Sequence, residues 1–170
     1  MTDDDIAAAS RRALGFLELG MPEDALAELD EIPASNSMAL HLRVDALFRL
    51  GDWSAAAAIC LPMTEQEPSD PGWWIQAAYA QRRARSVEEA EVVLLAGLSR
   101  HPANGLILYN LACYTCMQDR IDDARRYFHR AAATDPEQML TMGVCDPDLE
   151  GIRPWLLDLQ AGYRTKKTAS

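Results

Sequence analysis

Cys113 and Cys116 have the Cys-x-x-Cys spacing of a dithiol redox pair or of half a zinc site. A redox pair draws its low thiol pKa from a helix N-terminus that follows a strand. The apolar spacing around these cysteines instead puts both inside a helix. A structural zinc needs two more ligands, and Cys145 with His101 or His129 is the conceivable completion. His41, His101 and His129 are scattered, with no acid or nucleophile at a matching interval. His41 and Asp45 stand one helical turn apart and could hydrogen-bond, which alone makes no active site. The cysteines are therefore expected as small core or groove-lining residues, with no metal and no cofactor. A metal- or thiol-dependent enzyme is the remote alternative.

The elements that must position these residues come from a repeat. Residues 71–104 and 105–138 superimpose without a gap: Ala90 falls on Ala124, Leu94 on Phe128, Gly97 on Ala131 and Pro102 on Pro136. One step back, 37–70 puts Ala56 in the same small slot, Pro68 at the closing proline and Gly51-Asp52-Trp53 at the turn. A first unit, about 6–36, is three residues short, as end units facing solvent often are. Apolar residues recur at three- and four-residue spacing. They predict helices over 4–19, 22–32, 37–50, 53–66, 71–84, 87–100, 105–118 and 121–134. Pro22 and Pro71 suit first helical turns, and Ser86 with Glu89 spells a capping box. Asp3-Asp4-Asp5 and Asp122-Asp123 suit helix starts, where the dipole favours acids. Pro62 falls inside 53–66 and cannot donate to the carbonyl of Ala58, so a kink or early stop is expected there. Residues 139–145 are apolar but unpatterned. Asp146-Pro147-Asp148-Leu149 looks like a helix start, and Pro154-Trp155 begins another stretch that can cap the last unit.

Bulk composition narrows the function. The chain has 170 residues, is 49% hydrophobic and carries a net charge of −10, which argues against generic binding to nucleic acid or an anionic membrane. Residues 1–36 hold nine acids against Arg11 and Arg12. The start, Met1-Thr-Asp-Asp-Asp, lacks the pattern of a signal peptide, and no apolar run is long enough to span a bilayer. The expectation is a cytoplasmic protein with free thiols.

The repeated order of large, small and proline residues resembles the tetratricopeptide repeat (TPR) family over the whole of 6–138. Leu50-Gly51-Asp52-Trp53 is similar to its turn, and the closing Asp146–Leu149 run to the terminal segment of many bacterial TPR proteins. The resemblance implies an all-α, right-handed superhelix of four helix-turn-helix units with a C-terminal capping helix. The domain then covers 1–163, with units at about 6–36, 37–70, 71–104 and 105–138, a capping segment at 139–163 and a flexible tail at 164–170. Trp74 takes the family's tryptophan slot and belongs to the core, with Trp73 between units.

The family's concave face, carried over slot by slot, is lined by Met38, His41, Asp45, Phe48 and Arg49, then Ile75, Tyr79, Arg82 and Arg83, then Tyr109, Cys113 and Met117. Gly72, Leu106 and Cys116 fall in further slots, and Ser10, Leu14, Leu17 and Glu18 are added from the first unit. Arg49, Arg82 and Arg83 make a basic spot among apolar and aromatic patches. The resemblance thus implies a non-enzymatic scaffold that binds a peptide or protein with apolar anchors and an acidic residue. Some chaperone-binding members clamp a terminal carboxylate. Their slots fall here on His41, Asp45, Gln76, Leu106 and Asn110, or one unit earlier on Ser10, Leu14, Leu42, Gly72 and Gln76, and neither register offers the cations required. A chaperone of a secreted translocator-type client is the closer alternative. The oligomeric state is open, and self-assembly through an uncapped end is one form it could take.

Overall fold

A computed structural model describes residues 1–33 and 35–168. Helices α1 (Asp3–Glu18), α2 (Pro22–Leu29), α3 (Ser37–Leu50), α4 (Trp53–Gln66), α5 (Pro71–Ala84), α6 (Val87–Arg100), α7 (Gly105–Met117) and α8 (Ile121–Ala132) form four hairpins. They are followed by α9 (Pro136–Cys145), a 3₁₀ segment (Pro147–Ile152) and α10 (Arg153–Thr168). Each helix packs on the next in the chain, and no strand occurs among the described residues. The fold is an all-α helical solenoid.

Side-chain caps set the period. Asn36, Asp70 and Asn104, each 34 residues after the last, accept a hydrogen bond from the first turns of α3, α5 and α7. Gly51 adopts φ 74° at the α3–α4 turn, and Asp119 adopts φ 57° in the same slot two units on. That left-handed conformation strains most side chains, and aspartate is among those that tolerate it. Ser86 caps α6, but Glu89 accepts from Gln81 Nε2 at 3.4 Å. A reciprocal capping box occurs instead at the chain's start, between Thr2 and Asp5.

Several boundaries differ from the sequence expectation. α2 ends at Leu29: residue 33, whose N–H would bond the Leu29 carbonyl in a longer helix, is a proline, and Arg43, reaching over from α3, donates to the carbonyls of Leu29 and Ile32 instead. Pro62 does not stop α4. Pro62 and Ala58 are both exposed, so water can take the carbonyl that the proline leaves unpaired. The unpatterned run before Asp146 is the helix α9. The capping segment is therefore three elements, not one helix. The tail expected from 164 is helical to Thr168, and residues 169 and 170 lie outside the described set.

Three apolar clusters run in series along the stack. The first joins α1, α2 and α3; the second joins α3, α4 and α5; the third extends from α5 to α10. Trp73 and Trp74 are both buried but in different clusters, so α5 is a wall shared by two cores. Gly97 is where α6 crosses α5: a Cβ there would sit 2.9 Å from Cβ of Trp74.

Candidate protein-interaction groove

The leading helices share one wall. α1 packs on α3 and α5 on α7. Between α3 and α5, His41 stacks on Trp73 at 3.7 Å, and Phe48 meets Tyr79 edge-on at 5.1 Å. This wall divides into two unlike halves.

The half nearest α7 is filled by the chain itself. The turn between α9 and α10 lies against α7, with Leu149 and Ile152 fully buried. Asp148 takes both arms of the Arg82 guanidinium, at 2.6 and 2.9 Å. Asp146 accepts from the Tyr109 hydroxyl at 2.7 Å and from Cys113 Sγ at 3.8 Å. Gly151 comes so close that a Cβ on it would lie 3.1 Å from Cys116 Sγ. Tyr109, Cys113 and Cys116 are consequently buried rather than open to a groove, while Met117 stays exposed beside them. The spacing of the repeat could not reveal this plug, whose contacts join residues 66 apart. Acids flanking Pro147 were the available signal.

The middle of the wall carries the other two arginines, and both are engaged within the chain. Arg49 pairs with Asp45 at 3.2 Å and donates to the Leu17 carbonyl at 2.8 Å. Arg83 lies 5.2 Å from the rings of both Trp53 and Tyr79 and bonds the Tyr79 hydroxyl at 3.3 Å. The nitrogens of His41 face Gln76 Oε1 at 2.8 Å and Asp70 Oδ2 at 3.2 Å. Ile75 is half-buried against the third cluster. The anticipated basic spot therefore has intramolecular partners for each of its three cations.

The half nearest α1 is open. A cleft of about 570 Å³ between α1 and α3 is lined by Ile6, Leu14, Met38 and Leu42, with Asp3 and Arg11 on its rim. Leu14 is 46% exposed and Met38 67%. Ser10 Oγ is buried in this lining without a hydrogen-bond partner among the described residues. Sequence reasoning placed Ser10, Leu14 and Met38 on the wall but missed Ile6, at the helix start.

Two of the buried thiols, Cys60 and Cys113, are poorly suited to chemistry. Burial pushes the Cys60 thiol up to about 12. Burial, with the carboxylates of Asp146 and Asp148, raises Cys113 well above its ordinary value. Such thiols stay protonated and are weak nucleophiles and metal ligands. Among the described residues, no three His, Cys, Asp or Glu side chains gather as a metal site would require.

No family model and no curated sequence matches the chain. Two solved structures are similar to it over nearly their whole length. One is MamA 41-end from Desulfovibrio magneticus RS-1, 19% identical, covering 97% of this chain and 98% of that one, with a TM-score of 0.69. The other is a MamA RS-1 ArsTM double mutant, 19% identical, covering 99% of each chain, with a TM-score of 0.68. At this identity the likeness concerns the fold alone, and it supports a TPR-like solenoid.

Proposed function

We propose that this protein is a non-enzymatic interaction scaffold that holds a peptide or protein segment on the open half of its inner wall, along α1, α3 and α5. The observation that carries the reading is the contrast between the halves. The end beside α7 is sealed by the chain's own acidic turn, while Leu14 and Met38 stand exposed over an apolar cleft. Exposed apolar surface of this kind marks binding sites. No helix among the described residues is long and apolar enough to cross a membrane, and we assign the scaffold to the cytoplasm.

A photo-crosslinking amino acid at position 14 or 38 should capture a partner in cells, whereas one at Val92 on α6 should not. Equal capture from Val92 would refute the assignment to the inner wall. A chaperone holding an apolar segment of one secreted client is the second reading, favoured by exposed Met38 and half-buried Tyr79. Mass spectrometry of the captured species separates it, since it requires one client rather than several.

A further inference from the structure

We infer that Arg83, held on an aromatic platform in the middle of the inner wall, binds an aspartate or glutamate side chain of the partner segment. The inference rests on the proposed role of that wall and adds one chemical requirement on its occupant.

The chain itself supplies the precedent. Arg82 lies 5.6 Å from the Tyr114 ring and takes both oxygens of Asp148. Arg83, the next residue on α5, repeats part of that arrangement. Its guanidinium is 5.2 Å from the Tyr79 and Trp53 rings alike and donates to the Tyr79 hydroxyl at 3.3 Å. The acid is what differs: Arg82 has Asp148 and Arg49 has Asp45, whereas no carboxylate among the described residues stands within ion-pair distance of Arg83. Two ring faces and a hydroxyl hold this exposed cation without neutralising it. A guanidinium has more donors than that one bond uses, and its planar fork matches a carboxylate. Phe48 completes the platform, 5.1 Å from Tyr79 and 5.7 Å from Trp53, and all three rings are half-buried. Tryptophan, tyrosine and arginine carry much of the binding energy at interfaces, and a side chain already stacked loses less freedom when it binds. The dipole of α5 favours a cation in its last turn, but that alone does not set the cation on two rings. Arg83 also lies outside both sets of slots that would clamp a chain-terminal carboxylate, and the precedent beside it is an aspartate side chain.

The test uses the full chain as bait for a displayed library of short random peptides. Enriched peptides should carry aspartate or glutamate beside apolar residues. The best of them, made as a fluorescent synthetic peptide and read by polarisation, should lose at least tenfold in affinity for Arg83→Ala. Arg83 is exposed, so this variant should keep its circular dichroism. Arg85→Ala should lose less than twofold, since it removes the same charge from a cleft lined by α4 residues and Glu89. Replacing the peptide's acid by its amide should weaken binding to the unaltered chain as much as Arg83→Ala does, and should add little once Arg83 is alanine. The double variant Leu14→Ser, Met38→Ser alters exposed side chains and reports on the cleft between α1 and α3. Enriched peptides that carry no acid, yet lose affinity for that double variant, would overturn the role of Arg83 and leave the interaction groove standing. Acidic peptides indifferent to Arg83→Ala would overturn it as well. Acidic peptides that need Arg83 but neither Leu14 nor Met38 would support the carboxylate site and refute the cleft. A library that yields no enriched peptide would refute the groove reading and take the inference with it.

Discussion

Asp148→Asn removes the charge that anchors the terminal turn to Arg82 on α5. The Arg82 and Asp148 side chains are 14% and 25% exposed, and their contact is bidentate at 2.6 and 2.9 Å. An exposed ion pair contributes at most about 1 kcal/mol, while breaking a fully buried one costs about 3–5 kcal/mol. A pair at this depth lies between, so a loss of about 2 kcal/mol is expected. For a chain of this length each kcal/mol lowers Tm by roughly 2–4 °C, so the melting temperature should fall by about 4–8 °C. Arg82→Ala should cost somewhat more, because the guanidinium also lies 5.6 Å from the Tyr114 ring, an arrangement worth about 0.5–1 kcal/mol. Urea denaturation of both single variants and the double variant closes a thermodynamic cycle, with an expected coupling of about 1–2 kcal/mol, as the depth of the pair implies. A coupling below about 0.5 kcal/mol would mean that the turn is held by Leu149, Ile152 and the hydrogen bonds to Asp146 without help from this ion pair, and that the Asp148 carboxylate does not compete for the wall's cation.

Other perturbations probe the packing. Gly97→Ala should destabilise by about 1–3 kcal/mol, since overpacking against Trp74 outweighs the gain in helix propensity. Gly15→Ala, whose new methyl meets nothing within 4 Å, should instead stabilise by about 0.5–1 kcal/mol in thermal melts. Pro62→Ala should stabilise α4 by about 1–3 kcal/mol by restoring a helical donor. The pH dependence of stability follows from groups whose native pKa is raised by burial: Cys60, to about 12, with Cys113, Cys116, Tyr109 and Tyr114. The unfolded chain releases these protons first, near about pH 8.5 for thiols and 10 for tyrosines. Stability should therefore hold below pH 8.5 and fall as pH rises toward 12, by about 1.4 kcal/mol per pH unit for each group in its window. Chemical denaturation at stepped pH checks this, and a rise in stability over that range would contradict it.

The repeat was legible where local chemistry and period agree. Helices α3, α4, α5 and α6 begin and end at the residues predicted, because caps, turn glycine and apolar spacing recur together. The same agreement placed Trp74 and Ala90 in the core. The end of α2 was placed three residues too late, although Pro33, which has no N–H for the Leu29 carbonyl, was a local signal for it. α9 was missed although Asp135-Pro136 repeats the Asp70-Pro71 start of α5. The terminal plug was read as a helix start, and Asp146 does accept from Asp148 N at 2.9 Å. Its position over Tyr109 and Cys113 is a tertiary choice that no local pattern encodes. Of the wall residues named from the repeat, Met38 stands open, Tyr109 and Cys113 are sealed, and the three arginines are taken up within the chain.

Three cores in series make this molecule a chain of modules rather than a single cooperative block. The amino-terminal hairpin leans on one neighbour only, so it is the module expected to open at least cost in hydrogen exchange. The open cleft sits at its seam with the second module, joining the loosest part to firmer ground. An occupant there would act as a brace, and part of its binding energy would go into stiffening the hairpin it grips.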